Sequence, residues 1–232
     1  LGDVYKRQDE EKLMSAENVG LANRTLRTRT LAMALGVTVL VGGATANAAQ
    51  IALYDFSTST ATSSSWPSLD TEANSTATDM TPAAGLGSTG NWNTTNNGIS
   101  TTSGNPMPAF AIKPLGAATS TSAQAYTNNA YASFTITPGA NHELDLTSFT
   151  FWTTSYNAGR RVSYYVASSI DGFDTPIASK ENVATADKDQ TILLAGAQFQ
   201  NVDEAVTFRI YLWDVAGLGG ASGSRWELDN IT

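Results

Sequence analysis

Four carboxylates could be paired for acid–base chemistry, and one histidine could act as the general base for a nucleophile. Glycoside hydrolysis needs two carboxylic groups on either side of a cleft, and the candidates are Glu143, Glu227, Asp171 and Asp214. Nothing in their spacing brackets two of them in one cleft, and Asp171 and Asp214 occur where turns are expected. The single histidine, His142, lies in a turn-like segment, which does not favour a Ser-His-Asp triad. We therefore expect a protein without catalytic activity.

A second group of residues is suited to binding. Large aromatic side chains alternate with the apolar residues of three predicted strands, at Trp152, Tyr165, Tyr211 and Trp213. Because successive side chains of a strand point to opposite faces, these rings would form a face away from the core. Sugars dock their C–H faces on flat rings, so this face is a candidate carbohydrate-binding surface. The alternative is that segment 57–107 covers the face, with its Trp66 and Trp92 packed there.

Two further carboxylates could hold a structural calcium ion. Asp55 belongs to the first predicted strand and Asp229 to the last, and the first and last strands of a jelly roll often pair. Carboxylates and backbone carbonyls are the ligands that calcium prefers. The alternative is that both carboxylates accept hydrogen bonds in turns at strand ends.

The strands that position these residues are predicted by alternation of apolar and polar side chains. The clearest alternation is Val206, Phe208, Ile210 and Leu212. The predicted strands are 51–56, 109–113, 130–137, 144–151 with a bulge at 147–148, 162–166, 191–194, 206–212 and 226–231. No window has a sustained helical period. Many short strands separated by Gly, Asn and Pro turns indicate an all-β fold, an antiparallel β-sandwich or jelly roll.

One long segment, 57–107, is dominated by Ser, Thr, Asn, Gly and Ala. This composition resists helix formation and cannot build a large core alone. We expect long loops with short edge strands lying over the domain. A wholly disordered segment is the alternative.

The N-terminal region has the pattern of an export signal. Arg24, Arg27 and Arg29 precede an apolar stretch at 31–41, and Ala46-Asn47-Ala48 supplies an A-x-A cleavage site. The apolar stretch is too short to span a bilayer. We therefore predict a signal peptide at 14–48 and a single mature domain at 49–232. Residues 1–13 resemble a translated sequencing adapter with upstream sequence, and we expect no function from them.

Charge and cysteine content narrow the partners of the mature region. Residues 49–232 contain 16 acidic and 7 basic residues, a net charge of −9. Nucleic acids and anionic membranes require clustered Lys and Arg, so neither is an expected partner. The chain has no cysteine, so stability must come from the core, with or without a bound ion. Extracellular polysaccharide or other surface proteins remain as candidate partners.

Several short motifs resemble the β-sandwich ectodomains of bacterial PEP-CTERM proteins. They lie at 168–173 (SSIDGF), 208–214 (FRIYLWD), 228–231 (LDNI) and 105–110 (NPMPAF). The resemblance implies an exported, non-catalytic protein of the cell surface or extracellular matrix. The Pro-Glu-Pro sorting tail of that family does not occur before Thr232, which favours a truncated gene fragment. A carbohydrate-binding module is the alternative function, and a glycan-active enzyme is the third.

Overall fold

The computed structural model describes residues 49–57, 65–86, 98–100, 108–112, 119–155, 162–183, 188–214 and 226–232. All of them belong to one compact unit, Asn47–Thr232. The predicted signal peptide and the adapter-like residues before it lie outside the described residues. Within the described ranges, no helix is long and apolar enough to cross a membrane.

The described secondary structure is almost entirely β-strand. The strands are β1 (Ser75–Ala77), β2 (Thr81–Pro82), β3 (Gly98–Ser100), β4 (Ala109–Ile112), β5 (Tyr131–Pro138), β6 (Ser148–Ser155), β7 (Val162–Ser168), β8 (Ala178–Val183), β9 (Asp189–Leu193), β10 (Val206–Asp214) and β11 (Trp226–Asp229). One short α-helix, α1, spans Ser122–Thr127. Single 3₁₀ turns span Ala84–Leu86, Ser169–Asp171 and Ala197–Phe199.

These strands form two antiparallel sheets. Sheet I has the order β1-β5-β10-β7-β8, with β2 also paired to β5, and sheet II has the order β3-β4-β11-β6-β9. Every strand pair within them is antiparallel. The prediction of an all-β, antiparallel β-sandwich is confirmed.

The core lies between the sheets and is rich in aromatic rings. Phe208 of β10 faces Phe149 of β6 with a centroid separation of 5.9 Å and nearly parallel planes, and it also stacks on Phe134 of β5 at 5.6 Å. Towards the other end, Tyr164 of β7 stacks on Trp226 of β11 at 6.0 Å. The Phe208–Phe149 and Tyr164–Trp226 contacts join the two sheets through inward-facing residues.

The predicted first strand, 51–56, is wrong as a strand. Its residues form one isolated bridge, in which the Tyr54 N–H donates to the Ile231 carbonyl at 2.9 Å and the Ile231 N–H donates back at 3.2 Å. Phe56 and Asn230 have positive φ values of 56° and 46°, which ends the extended pairing on both sides. The bridge nevertheless places the beginning of the domain beside its last strand, as expected.

The Ser/Thr-rich segment is partly described. Its residues 65–86 contain β1 and β2, which extend sheet I along β5, so short edge strands occur there as expected. Trp66 is 1% exposed and lies against Phe110 of β4, with ring centroids 3.9 Å apart. Trp66 therefore joins the packing at β4 of sheet II. Trp92 lies outside the described residues.

Candidate functional site

A pocket of about 440 Å³ opens on the outward face of sheet I, between α1 and the edge strand β8. Its lining comes from α1, β7, β8, β10 and the loop that precedes β8: Ser122, Ala123, Tyr126, Tyr165, Phe173, Asp174, Pro176, Ser179, Glu181 and Trp213. Four of these residues are aromatic, two are carboxylates, and none is Lys, Arg or His. The pocket is therefore a ring-lined depression with hydrogen-bonding groups.

Helix α1 forms one wall and is fixed by its N-cap. The Thr121 side chain accepts a hydrogen bond from the Gln124 N–H at 3.2 Å, and the Gln124 side chain accepts one from the Ser120 N–H at 2.8 Å. This reciprocal arrangement resembles a capping box and satisfies backbone donors at the start of the helix. The cap holds Tyr126 over the sheet, where its ring stacks on Tyr211 at 5.7 Å. Tyr126 remains 45% exposed.

The opposite wall is the turn that follows β7. Gly172 and Phe173 both have positive φ values, 74° and 68°, and glycine adopts that region without a Cβ penalty whereas phenylalanine does not. The Phe173 N–H donates to the Ser168 carbonyl at 2.9 Å and to the Asp171 carboxylate at 3.1 Å. These bonds hold the turn closed and direct the Phe173 ring to the pocket.

Arg209 of β10 supports this wall from the same face of the sheet. Its guanidinium carbon lies 3.6 Å from the centroid of Phe173 and 4.4 Å from that of Tyr131, and one guanidinium nitrogen donates to the Tyr211 hydroxyl at 3.1 Å. A planar cation suits two ring faces and a hydroxyl at once. Arg209 therefore connects the sheet to the turn that carries Phe173.

The four predicted aromatic residues do not share one surface. Tyr165 (5% exposed) and Trp213 (4%) line the pocket, while Tyr211 (1%) lies beneath it, stacked on Tyr165 at 4.5 Å. Trp152 belongs to β6 of sheet II, in register with Asp229, and strand alternation places it on the outward face of that sheet. The single aromatic face was thus a wrong expectation because the three strands belong to two sheets. A binding role for these residues stays a prediction.

For Trp66, the cover over the aromatic residues of sheet I differs from the alternative considered in the sequence; Trp92, the other residue of that alternative, lies outside the described residues. Trp66 does not pack there, because it lies against Phe110 of sheet II. Helix α1 covers Tyr211 instead, and it leaves the pocket open beside it. The tyrosines below are shielded enough that burial raises the pKa values of Tyr165 and Tyr211. Phenols are protonated at neutral pH in any case, and burial keeps these two protonated to a higher pH than an exposed tyrosine.

Asp55 lies near the beginning of the domain in sequence and Asp229 near its end. The Asp55 carboxylate accepts hydrogen bonds from the Ser57 N–H at 3.0 Å and the Ser57 hydroxyl at 2.9 Å, while the Asp229 carboxylate accepts one from the Asn230 N–H at 2.9 Å. Among the described residues, no three His, Asp or Glu side chains are grouped as metal ligands. The calcium site stays a prediction, and a chelator that left the melting temperature unchanged would remove it.

The candidate catalytic carboxylates do not enter the pocket. Glu143 is exposed beside His142, whose ring nitrogen pairs with a backbone carbonyl in the same turn at 3.1 Å. Asp171 accepts N–H bonds within the turn after β7. Glu227 is buried in the middle of sheet II, and Asp214 ends β10.

The pocket contains two rings that sequence reasoning missed, Tyr126 and Phe173. Both reach the sheet from connections rather than from strands, so strand alternation could not find them. The Thr121-x-x-Gln124 spacing is the signal for α1. Phe173 directly follows the turn predicted at Asp171-Gly172, and no pattern at that position indicates which surface its ring reaches.

No family model matches this chain, and no curated protein matches it. Six chains among the solved structures match this chain, and two of them are the following. The CBM27-1 module of Caldicellulosiruptor saccharolyticus, solved with mannohexaose, is 11% identical, with 77% of this chain and 93% of that one covered and a TM-score of 0.38. The K1 cleaved adhesin domain of Lys-gingipain from Porphyromonas gingivalis W83 is 12% identical, with coverages of 69% and 90% and a TM-score of 0.29. Both likenesses concern the fold alone.

Proposed function

We propose that this protein is a non-catalytic β-sandwich protein that binds extracellular carbohydrate in the pocket on sheet I. The observation that carries the proposal is the convergence of four rings from four separate elements: Tyr126, Tyr165, Phe173 and Trp213. Tyr126 and the half-buried Phe173 present ring surface to the C–H faces of a sugar, while the buried Tyr165 and Trp213 form the floor of the pocket. The polar groups between them fix the orientation of the sugar.

The polar part of the pocket suits sugar hydroxyls. Asp174 and Glu181 offer acceptors, while Ser122 and Ser179 offer hydroxyls that donate or accept. A volume of about 440 Å³ lies within the usual range for small-molecule sites. The catalytic candidates Glu143 and Glu227 lie outside the pocket, and its own carboxylates, Asp174 and Glu181, are both exposed to solvent. We therefore propose binding without hydrolysis, and intact oligosaccharide after incubation with the protein is the expected outcome.

The test is calorimetric titration with a panel of oligosaccharides chosen from a glycan array. Tyr126→Ala removes the most exposed ring and should weaken binding at least about tenfold, which corresponds to ~1.4 kcal/mol. Leu193→Ala is the matched control, because Leu193 is 70% exposed on the edge of sheet II. Equal affinities for both variants would refute binding in this pocket, and so would a panel without any ligand.

Export is the second part of the proposal and is supported by the charged, apolar and A-x-A segments at 24–48. Mass spectrometry of secreted material should find Ala49 as the first residue. Recovery of residues 31–41 in that material would contradict it. Sorting to the cell surface in the manner of PEP-CTERM proteins is tested by the DNA that follows the codon for Thr232, where a Pro-Glu-Pro motif, an apolar helix and an Arg-rich tail are expected.

A further inference from the structure

The charges of the pocket are of one sign. Its described lining contains the carboxylates of Asp174 and Glu181 and no basic side chain. The faces of the aromatic rings in the same lining are also electronegative, since the π-electrons form the negative part of the ring quadrupole. Negative ring faces and carboxylates around one cavity together favour a cationic group over a neutral or anionic one.

The guanidinium of Arg209 lies directly beside the pocket. Arg209 lies 3.6 Å over Phe173, which is itself a lining residue, and donates to the Tyr211 hydroxyl. The guanidinium is thus committed to rings and a hydroxyl beside the pocket and is not among the residues that line it. One face of the Phe173 ring is thus already covered by a positive charge, so a cationic ligand would bind at the carboxylates and not at Phe173.

The size of the pocket indicates what kind of molecule would carry the positive charge of the ligand. A water-sized group takes up about 30 Å³, so an ammonium group alone would leave most of the 440 Å³ unfilled. A sugar ring fills that space and brings C–H faces to the aromatic rings. The net charge of −9 for residues 49–232 adds long-range attraction for a polycation.

We propose that the ligand is an amino-sugar glycan with free ammonium groups, held with its ammonium at the carboxylates of Asp174 and Glu181 and its ring against Tyr126. This inference rests on the proposed carbohydrate binding and names its ligand class. Acidic polysaccharides are disfavoured by the same charges.

The experiment compares three tetrasaccharides of equal length: glucosamine, N-acetylglucosamine and mannose. Each is titrated calorimetrically into the full chain at a pH where the free amine is protonated. We expect the glucosamine oligomer to bind about tenfold more tightly than the N-acetylated one, and added salt to reduce this preference. The double variant D174N/E181Q should lower the preference below about threefold, with most of the loss of affinity in the glucosamine oligomer.

A matched control separates the pocket from the overall charge. D203N/E204Q removes the same two charges at exposed positions that do not line the pocket, and it should keep the tenfold preference. Equal loss in both double variants would overturn the pocket assignment in favour of net charge. A lysine-rich peptide or choline that bound more tightly than glucosamine would overturn the amino-sugar class.

The same titrations distinguish the two proposals. If all three oligomers bind equally and Tyr126→Ala abolishes their binding, the amino-sugar inference is wrong and the proposed function stands. If none of the three binds but another oligosaccharide of the panel does, only the amino-sugar inference is wrong. If no member of the panel binds, the proposed function fails and the inference fails with it.

Discussion

Replacing Arg209 by alanine should destabilise the domain and loosen the Phe173 wall of the pocket. The guanidinium makes two cation–π contacts, at 3.6 Å to Phe173 and 4.4 Å to Tyr131, each worth ~0.5–1 kcal/mol at a partly exposed site. Its hydrogen bond to Tyr211 adds ~1.5 kcal/mol, because the donor is charged. Together the loss is about 3 kcal/mol, which for a domain of this size lowers the melting temperature by ~6–12 °C.

The assay is urea denaturation of the wild type, Arg209→Ala and Arg209→Lys. Lysine keeps the charge but cannot present a planar group to two rings and a hydroxyl, so it should recover no more than about half of the loss. Wild-type stability in Arg209→Ala, within ~0.5 kcal/mol, would refute the role of Arg209 as the support of this wall. Full recovery by lysine would show that charge alone suffices.

Three further predictions concern the fold. Phe208→Ala should lower the free energy of unfolding by ~3–5 kcal/mol because its ring fills the core between the sheets. Thr207→Ala, on the other face of β10, should lower it by about 1 kcal/mol, and equal losses in the two denaturation curves would contradict the assigned faces. Burial raises the pKa of Tyr165, so the unfolded state loses this proton at a lower pH than the folded state. The free energy of unfolding should therefore be unchanged below pH ~10 and fall above it by ~1.4 kcal/mol per pH unit for each such tyrosine. If Tyr165→Phe did not reduce this dependence of the melting temperature on pH, the result would count against the assigned burial. A Cβ at Gly85 would overlap the backbone that follows α1, so Gly85→Ala should lower the melting temperature, and an unchanged value would show that α1 is not packed there.

The long central strands could be predicted from the sequence because apolar and polar side chains alternate along each of them. β5, β7 and β10 each have a neighbour on both sides, so their inward residues must be apolar and their alternation is regular. The edge strand β8 lacked that signal. Its Lys180 reaches Gln190 of sheet II at 3.4 Å, and its outward residues are polar, as is usual for edge strands.

The pocket was only half predictable. Tyr165 and Trp213 follow from strand parity, but no local rule states which of two sheets a strand joins, so Trp152 was grouped with them wrongly. Tyr126 and Phe173 reach the pocket through a six-residue helix and a strained turn. Their positions depend on contacts distant in the chain, namely Tyr126 with Tyr211 and Phe173 with Arg209. Such contacts leave no periodic pattern.

Amide chemical shifts of the ¹⁵N-labelled protein during titration with the tightest oligosaccharide of the panel test the binding site most directly. We expect the largest changes in α1, in residues 173–181 and at Trp213, with β9 on sheet II unaffected. Shifts concentrated on sheet II around Trp152, or a spectrum that no oligosaccharide changes, would contradict a carbohydrate site on the outward face of sheet I.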